Sequence, residues 1–203
     1  GTLQATDPEG DGLTFALVSG PVDGSLSIAS NGSYTFDPDG DFDSLALGQK
    51  RDISFSYSVS DGSSVVEQAA TIRVVGANDA PIVSDVSVKV AEDNILAGNL
   101  TATDADDDAL SFALASGPSH GSVAVNSDGS YRYTPNANYY GPDSFSYTVT
   151  DTNGASDTGT VAVTVTPVND AAPVANDDNI TVIEDTPMSF AASDLIANDT
   201  DVD

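Results

Sequence analysis

Ser144-Phe145-Ser146-Tyr147-Thr148-Val149-Thr150-Asp151 alternates polar and apolar residues for a full strand and closes on an aspartate. Period two puts Phe145, Tyr147 and Val149 on one face, toward a core, and the hydroxylated residues on the other. The stretch also stands 90 residues earlier, as Ser54-Phe55-Ser56-Tyr57-Ser58-Val59-Ser60-Asp61. Leu3-Gln-Ala-Thr-Asp-Pro-Glu9 returns at an offset of 97 as Leu100-Thr-Ala-Thr-Asp-Ala-Asp106, and Asn78-Asp-Ala-Pro81 returns as Asn169-Asp-Ala-Ala-Pro173. A third copy begins around Ile183-Glu184-Asp185, matching Ala91-Glu92-Asp93, and is still running at Thr200-Asp201-Val202-Asp203. Periodicity of this kind means an array of similar modules, and arrays serve as spacers and binding surfaces more often than as enzymes.

Outward from that strand, the second copy reads as seven strands. Val86, Val88 and Val90 alternate in strand A, and Leu96 to Thr103 make strand B. Leu110, Phe112 and Leu114 mark strand C, and Gly121 to Asn126 strand D. Asp128-Gly129 is expected to supply positive φ in a tight turn into strand E, Ser130 to Tyr133. Phe145, Tyr147 and Val149 lie on strand F, and Val161, Val163 and Val165 on strand G. Short strands separated by Gly, Pro, Asn and Asp predict a Greek-key β-sandwich. The first copy repeats this from strand B onward, with Leu13, Phe15 and Leu17, the Asn31-Gly32 turn, Tyr34 and Phe36, then Phe55, Tyr57 and Val59. The expected organisation is an all-β tandem: residues 1–81 as a repeat lacking its first strand, 82–173 as a complete repeat, and 174–203 as the opening of a third. No helix is expected. The opening in mid-repeat marks the chain as a piece of something larger.

Five basic residues stand against 32 acidic ones, a formal charge of −27. That field repels phosphate backbones and excludes nucleic acid as a partner. It also strains the folded state unless cations neutralise it, which makes a multivalent metal the first partner to consider. Cysteine is absent, so disulfides and thiolate metal sites are excluded. No apolar run is long enough for a helix to cross a bilayer, so direct membrane insertion is not expected. Disorder is disfavoured because 39% of the residues are hydrophobic and alternate as strands do.

Strand direction turns the spacing of the carboxylates into geometry. If seven strands alternate up and down, the leading linker, the B–C loop with Asp104, Asp106, Asp107 and Asp108, and the F–G loop with Asp151 share one end of the sandwich. The A–B turn with Glu92 and Asp93, the E–F loop with Asp143, and the trailing linker with Asn169 and Asp170 share the other. In a linear array these ends meet. Calcium takes six to eight oxygens at about 2.3–2.6 Å, and such loops can supply them better than they can the rigid octahedron of magnesium. The plainer alternative is that Asp and Asn cap turns; recurrence at both ends of a module favours the metal.

Asp104-Ala-Asp106-Asp107-Asp108-Ala109 imitates an EF-hand opening, but Ala109 replaces the glycine and Ala115 the closing glutamate. Asp7-Pro-Glu9-Gly-Asp11-Gly12 fails at Val18.

With Ala-Thr-Asp-Ala-Asp (102–106), Tyr-Thr-Val-Thr-Asp (147–151) and Pro-Val-Asn-Asp-Ala-Ala-Pro (167–173), the chain resembles the cadherin-like repeats of very large bacterial surface and secreted proteins, the class found in RTX adhesins. The resemblance implies Ca2+ between consecutive repeats. It brings Asp104, Asp106 and Asp151 to Asn78 and Asp79 at the first junction, and Glu92, Asn169 and Asp170 to Asp201 and Asp203 at the second. Asp7, Glu9 and Asp61 would face a further module, and Asp143 loosely echoes an acidic E–F motif. The implied role is an extracellular extender, with Ca2+ stiffening the joints between neighbouring repeats for cell adhesion or biofilm attachment.

His120 is the only histidine and reads as a surface residue. Serine and aspartate are abundant, but nothing resembles a nucleophile elbow, and no enzyme is expected. Tyr139 and Tyr140 open the alternative of a carbohydrate-binding module of a secreted polysaccharide-degrading protein; packing over the end of the sandwich is the competing role. A third reading is strand exchange, in which the orphan strand near Ile180 completes the first repeat of a second copy.

Overall fold

In the computed structural model the alternating stretches become strands of two packed sheets per repeat, and the Asp- and Gly-rich stretches become the turns between them. The structure describes residues 1–169, 173–185, 187–189 and 191–200. These fall into two compact units. The first comprises Gly1–Val83, Thr101–Ser111 and Val149–Asp157, and the second Ser84–Leu100, Phe112–Thr148 and Thr158–Asp203.

The strands of the first repeat are β1 (Thr14–Ser19), β2 (Ser25–Ile28), β3 (Tyr34–Asp37), β4 (Lys50–Ser60) and β5 (Val65–Val75). They form a three-stranded sheet, β1-β4-β5, and the hairpin β2-β3. Phe42, Ile53 and Phe55 are buried between them. Phe15 stacks on Tyr57, and Tyr57 meets Phe55 and Phe55 meets Tyr34 in tilted pairs, so the period-two aromatics make one contiguous cluster.

The second repeat contributes β6 (Ile82–Val83), β7 (Val86–Ala91), β8 (Leu96–Asn99), β9 (Ala102–Thr103), β10 (Ser111–Ser116), β11 (Gly121–Val125), β12 (Ser130–Pro135), β13 (Gly141–Thr150) and β14 (Ser156–Thr166). Its sheets are β10-β13-β14-β7, β11-β12-β8 and the short pair β6-β9. Phe145, Tyr147, Val149, Val161, Val163 and Val165 are at most 2% exposed, as their alternation in strands F and G predicts, and Tyr133 is fully buried with them. Strand A, β7, runs parallel to β14 with Val88 beside Val163 and Val90 beside Val165.

Three local expectations are corrected. Strand B is not continuous from Leu96 to Thr103. It breaks after Asn99, where Leu100 turns inward to 4% exposure, and resumes as β9 beside β6. The hairpin between β11 and β12 has a longer loop than a two-residue turn, since Gly129 N donates to Asn126 O and Asn126 N to Ser130 O. Only Gly129 there has positive φ, 86°, which is the left-handed position closing a three-residue hairpin. A Cβ on Gly129 would lie 2.8 Å from the Leu100 carbonyl oxygen, so Gly129→Ala should cost at least about 1 kcal/mol, read as a lower thermal unfolding temperature. Finally, one helical turn, α1 (Ala192–Leu195), forms near the end of the chain. Before it, Val174 bridges Thr200 and Asn176 N donates to Asp199 Oδ1.

Candidate metal centre

Asp104 closes on itself because its side chain caps its own loop. Its Oδ1 accepts from Asp106 N at 3.0 Å and Asp108 N at 3.3 Å, the usual reason for Asp in a turn. Its Oδ2 is buried and has no hydrogen-bond partner among the described residues. Asp106, 8% exposed, accepts from Asp79 N through Oδ2 at 2.9 Å, while its Oδ1 is likewise buried and unpartnered. One ligand oxygen each from Asp104, Asp106 and Asp108 lies within 4.8 Å of the others.

Two oxygens bound to one calcium at about 2.4 Å each stand at most about 4.8 Å apart. The three carboxylates are therefore already at the spacing of ligands to one ion. Without a cation this arrangement is costly twice over, since buried oxygens lack donors and like charges face each other at short range. Burial, then the nearby Asp106, Asp43 and Asp104, holds the Asp79 carboxyl above its ordinary value.

The third wall is the loop after β13. Asp151 Oδ1 accepts from Asn153 N, Gly154 N and Ala155 N at 2.9, 2.6 and 2.8 Å, which locks the turn. Its Oδ2 accepts from Asn78 Nδ2 at 2.7 Å. The Asn78 hydrogen bond and the three backbone donors, against a desolvation that opposes them, hold the Asp151 carboxyl below the usual range. Asn153 Nδ2 bridges Asn78 Oδ1 and Asp108 Oδ2, both at 2.6 Å, and Thr152 Oγ1 donates to Asp108 Oδ1 at 3.0 Å. Asn78, Asp79, Asp104, Asp106, Asp108 and Asp151 all belong to the first compact unit. Their donor set is oxygen only, which suits a hard cation and not zinc.

The structure thus brings together Asn78, Asp79, Asp104, Asp106 and Asp151 and adds Asp108 and Asn153. Asp108 is placed in the B–C loop by the sequence without being a candidate ligand, and nothing in the sequence marks Asn153. Asp7 and Asp61 show the same local turns: Asp7 Oδ1 accepts from Glu9 N and Asp11 N, and Asp61 Oδ1 from Ser63 N and Ser64 N. Glu9 is exposed.

In the second unit Glu92 is 3% exposed and its Oε1 accepts from Val168 N at 2.7 Å, directly before the exposed Asn169. Asp170, Asp201 and Asp203 lie outside the described residues. Asp143 is occupied differently. Ser119 N, His120 N, Ser144 N and the Tyr133 hydroxyl all donate to its carboxylate at 2.8–3.0 Å. Burial opposes its ionisation, but these four donors outweigh it and hold the carboxyl below the usual range. Burial and the Asp143 carboxylate in turn push the Tyr133 phenol up. Tyr139 stacks on His120 at 4.2 Å and donates to Pro142 O at 2.6 Å, whereas Tyr140 is 53% exposed.

No helix among the described residues is long and apolar enough to cross a membrane. Residues 1–76 match the model of a bacterial cadherin-like domain, and residues 78–164 that of a bacterial Ig domain. No curated protein sequence matches the chain. Among solved structures, human CDH23 EC21-23 is 16% identical with a TM-score of 0.52, covering 81% of this chain and 66% of that one. That similarity is one of fold. The extracellular cadherin domains 3-6 of protocadherin gamma B2 match at 17% identity and TM-score 0.47, covering 83% of this chain and 45% of that one. The endo-fucoidan hydrolase MfFcnA4 of glycoside hydrolase family 107 matches at 23% identity and TM-score 0.35, covering 79% of this chain and 24% of that one. The chain therefore spans less than half of these last two.

Proposed function

We propose that this chain, whose residues 1–76 match the model of a bacterial cadherin-like domain and residues 78–164 that of a bacterial Ig domain, is a calcium-binding extender segment of an extracellular bacterial adhesin. One observation carries the metal reading: Asp104 Oδ2 and Asp106 Oδ1 are buried with no hydrogen-bond partner among the described residues, in a cluster where Asp104, Asp106 and Asp108 each offer a carboxylate oxygen within 4.8 Å of the others. Asp104, Asp106 and Asp108 would supply carboxylate oxygens, and Asp79 and Asp151 would complete the acidic wall. Asn78 contributes through its amide.

The consequence is mechanical. Asn78 and Asp79 lie in the linker between repeats, and the other ligands lie on loops of the following repeat. A cation held by both replaces mutual repulsion with a shared attraction and restricts the linker. A string of such joints projects a distal binding domain away from the cell surface, which is how the segment would serve adhesion or biofilm attachment. Nothing in this role calls for catalysis.

The test is calorimetric titration of the chelator-stripped chain with calcium, and with magnesium as control. Calcium-selective binding in the micromolar to millimolar range is expected, as for extracellular calcium modules. No heat with calcium at millimolar concentration, or equal binding of magnesium, would remove the proposal.

A further inference from the structure

The outer face of the sheet β11-β12-β8 carries a cleft of about 500 Å³, lined among others by Ala97, Asn99, Ala124, Asn126, Ser130 and Arg132. Strand pairing builds it. Arg132 stands on the central strand, opposite Ala124 of β11 on one side and Ala97 of β8 on the other. Its neighbours Tyr131 and Tyr133 are buried, so alternation puts Arg132 outside, where it is exposed. A long side chain between two methyl groups leaves open space along both of its flanks. One row further, Ser130 stands opposite Asn99, and Asn126 Nδ2 donates to Ser130 Oγ at 2.9 Å.

Arg132 differs from the other arginines. Arg51 is paired with Asp23 and Arg73 with Asp52. Among the described residues, Arg132 has neither an ion pair nor a side-chain hydrogen bond. Its surroundings are also unusual for a chain with 32 acidic residues, because β8, β11 and β12 contain none. The strand itself does not call for an arginine. In the first repeat Asn31-Gly32-Ser33-Tyr34-Thr35-Phe36 is the counterpart of Asp128-Gly129-Ser130-Tyr131-Arg132-Tyr133, and Thr35 fills the same place in β3. Threonine suits an exposed strand position at least as well.

We propose that this cleft binds a sugar bearing one carboxylate, the acidic unit of an otherwise neutral glycan. The planar fork of Arg132 matches a carboxylate with two parallel N–H···O bonds. The Asn99 amide, with no hydrogen bond among the described residues, offers a donor and an acceptor. Asn126, its Nδ2 engaged by Ser130, offers Oδ1. Sugar hydroxyls donate and accept, so they suit such a rim. The methyl groups of Ala97 and Ala124 are the apolar floor for a ring. A bare inorganic anion would use Arg132 and leave the amides idle. A peptide strand finds no open backbone on β12, which is paired on both sides.

The formal charge of −27 counts against a polyanion. Screening beyond about 8 Å at physiological ionic strength nevertheless leaves a single carboxylate governed by the guanidinium beside it. Asp128 does not line the cleft, and its carboxylate is taken up by Ser130 N and Oγ at 2.9 and 2.6 Å.

The test is a titration of the whole chain, followed through its backbone amide NMR shifts, with two probes that differ in one group. Sialyllactose carries a single carboxylate and lactose none. A glucuronate-capped disaccharide is run beside them as a second acid. At least one acid should give saturable shifts confined to β8, β11 and β12, and lactose should give none. Arg132→Thr installs the first repeat's own residue, so thermal unfolding should stay unchanged while binding weakens roughly tenfold or more. Ala97→Leu fills the cleft beside an intact arginine and should abolish the shifts. None of these residues is a candidate metal ligand, so the same binding is expected in calcium and in chelator, whatever the outcome of the calcium titration. No shifts with either acid at millimolar concentration, equal shifts with lactose, or an undiminished response in Arg132→Thr overturns the proposal. So does binding that requires calcium, which would place the carboxylate on a metal, or preference for the acidic peptide 37–43 of this chain over both sugars.

Discussion

Asp106→Asn should lower the thermal unfolding temperature in saturating calcium, and should leave it unchanged or raise it in chelator. The sign reversal follows from the two faces of one carboxylate. In the absence of metal, Asp106 Oδ1 is buried without a donor, and its charge faces Asp104, Asp108 and Asp79. Asparagine keeps the size and removes the charge, relieving repulsion that nothing else offsets. With calcium the same charge is a ligand, and its loss should weaken binding at least roughly tenfold. The stabilisation that ligand binding confers on the folded state falls accordingly. Asp104→Asn should behave alike, though less cleanly, because Asp104 Oδ1 also caps its loop through Asp106 N and Asp108 N. A variant destabilised equally in both conditions would return Asp106 to turn duty, held there by its bond from Asp79 N. Calorimetric melting in calcium and in chelator separates the two.

Asp143→Ala should be the most damaging single change in the second unit, costing about 3 kcal/mol or more whether or not calcium is present. Four donors converge on this carboxylate, and one of them is the hydroxyl of the fully buried Tyr133. Deleting the acceptor takes this partner from the hydroxyl and from three backbone amides, and the buried hydroxyl left unsatisfied costs about 1–3 kcal/mol, to which the lost bonds of the amides add. Tyr133→Phe removes donor and hydroxyl together and should cost less. Because the donors hold the folded carboxyl below its ordinary value, Asp143 stabilises the fold above the unfolded carboxylate pKa of about 4. That contribution is lost as pH falls through the depressed folded value. The wild-type and Asp143→Asn chains should therefore converge in stability under acid, as thermal melts between neutral pH and about pH 2 would show. Parallel curves at all pH would mean that the carboxylate charge plays no part.

The two experiments also separate two kinds of aspartate that the sequence presents alike. Both were candidate ligands from the sequence, but Asp143, expected in the E–F loop, lies in β13, whereas Asp106 lies in the loop between β9 and β10. Their difference is in the count of donors. Asp143 is met by Ser119 N and His120 N from a loop more than twenty residues upstream, and by Tyr133 from β12 of the other sheet. Asp106 meets one backbone donor and leaves an oxygen over.

By itself the sequence determined the all-β fold class and most of the core. The reason is periodicity: alternation at Phe145, Tyr147 and Val149, or at Val161, Val163 and Val165, needs no distant partner to be read, since a strand with one buried face must alternate. Asp104, Asp106 and Asp151 were legible too, because repeated copies placed them in loops that strand direction sends to one end. What only the tertiary structure decided was anything set by pairing across the chain. The break of strand B at Leu100 follows from β9 turning to meet β6. Asn153 gains its place from Asn78, 75 residues away. Neither can be read from the residues of one segment, because a strand's or a side chain's neighbour is set by the fold and not by its own alternation.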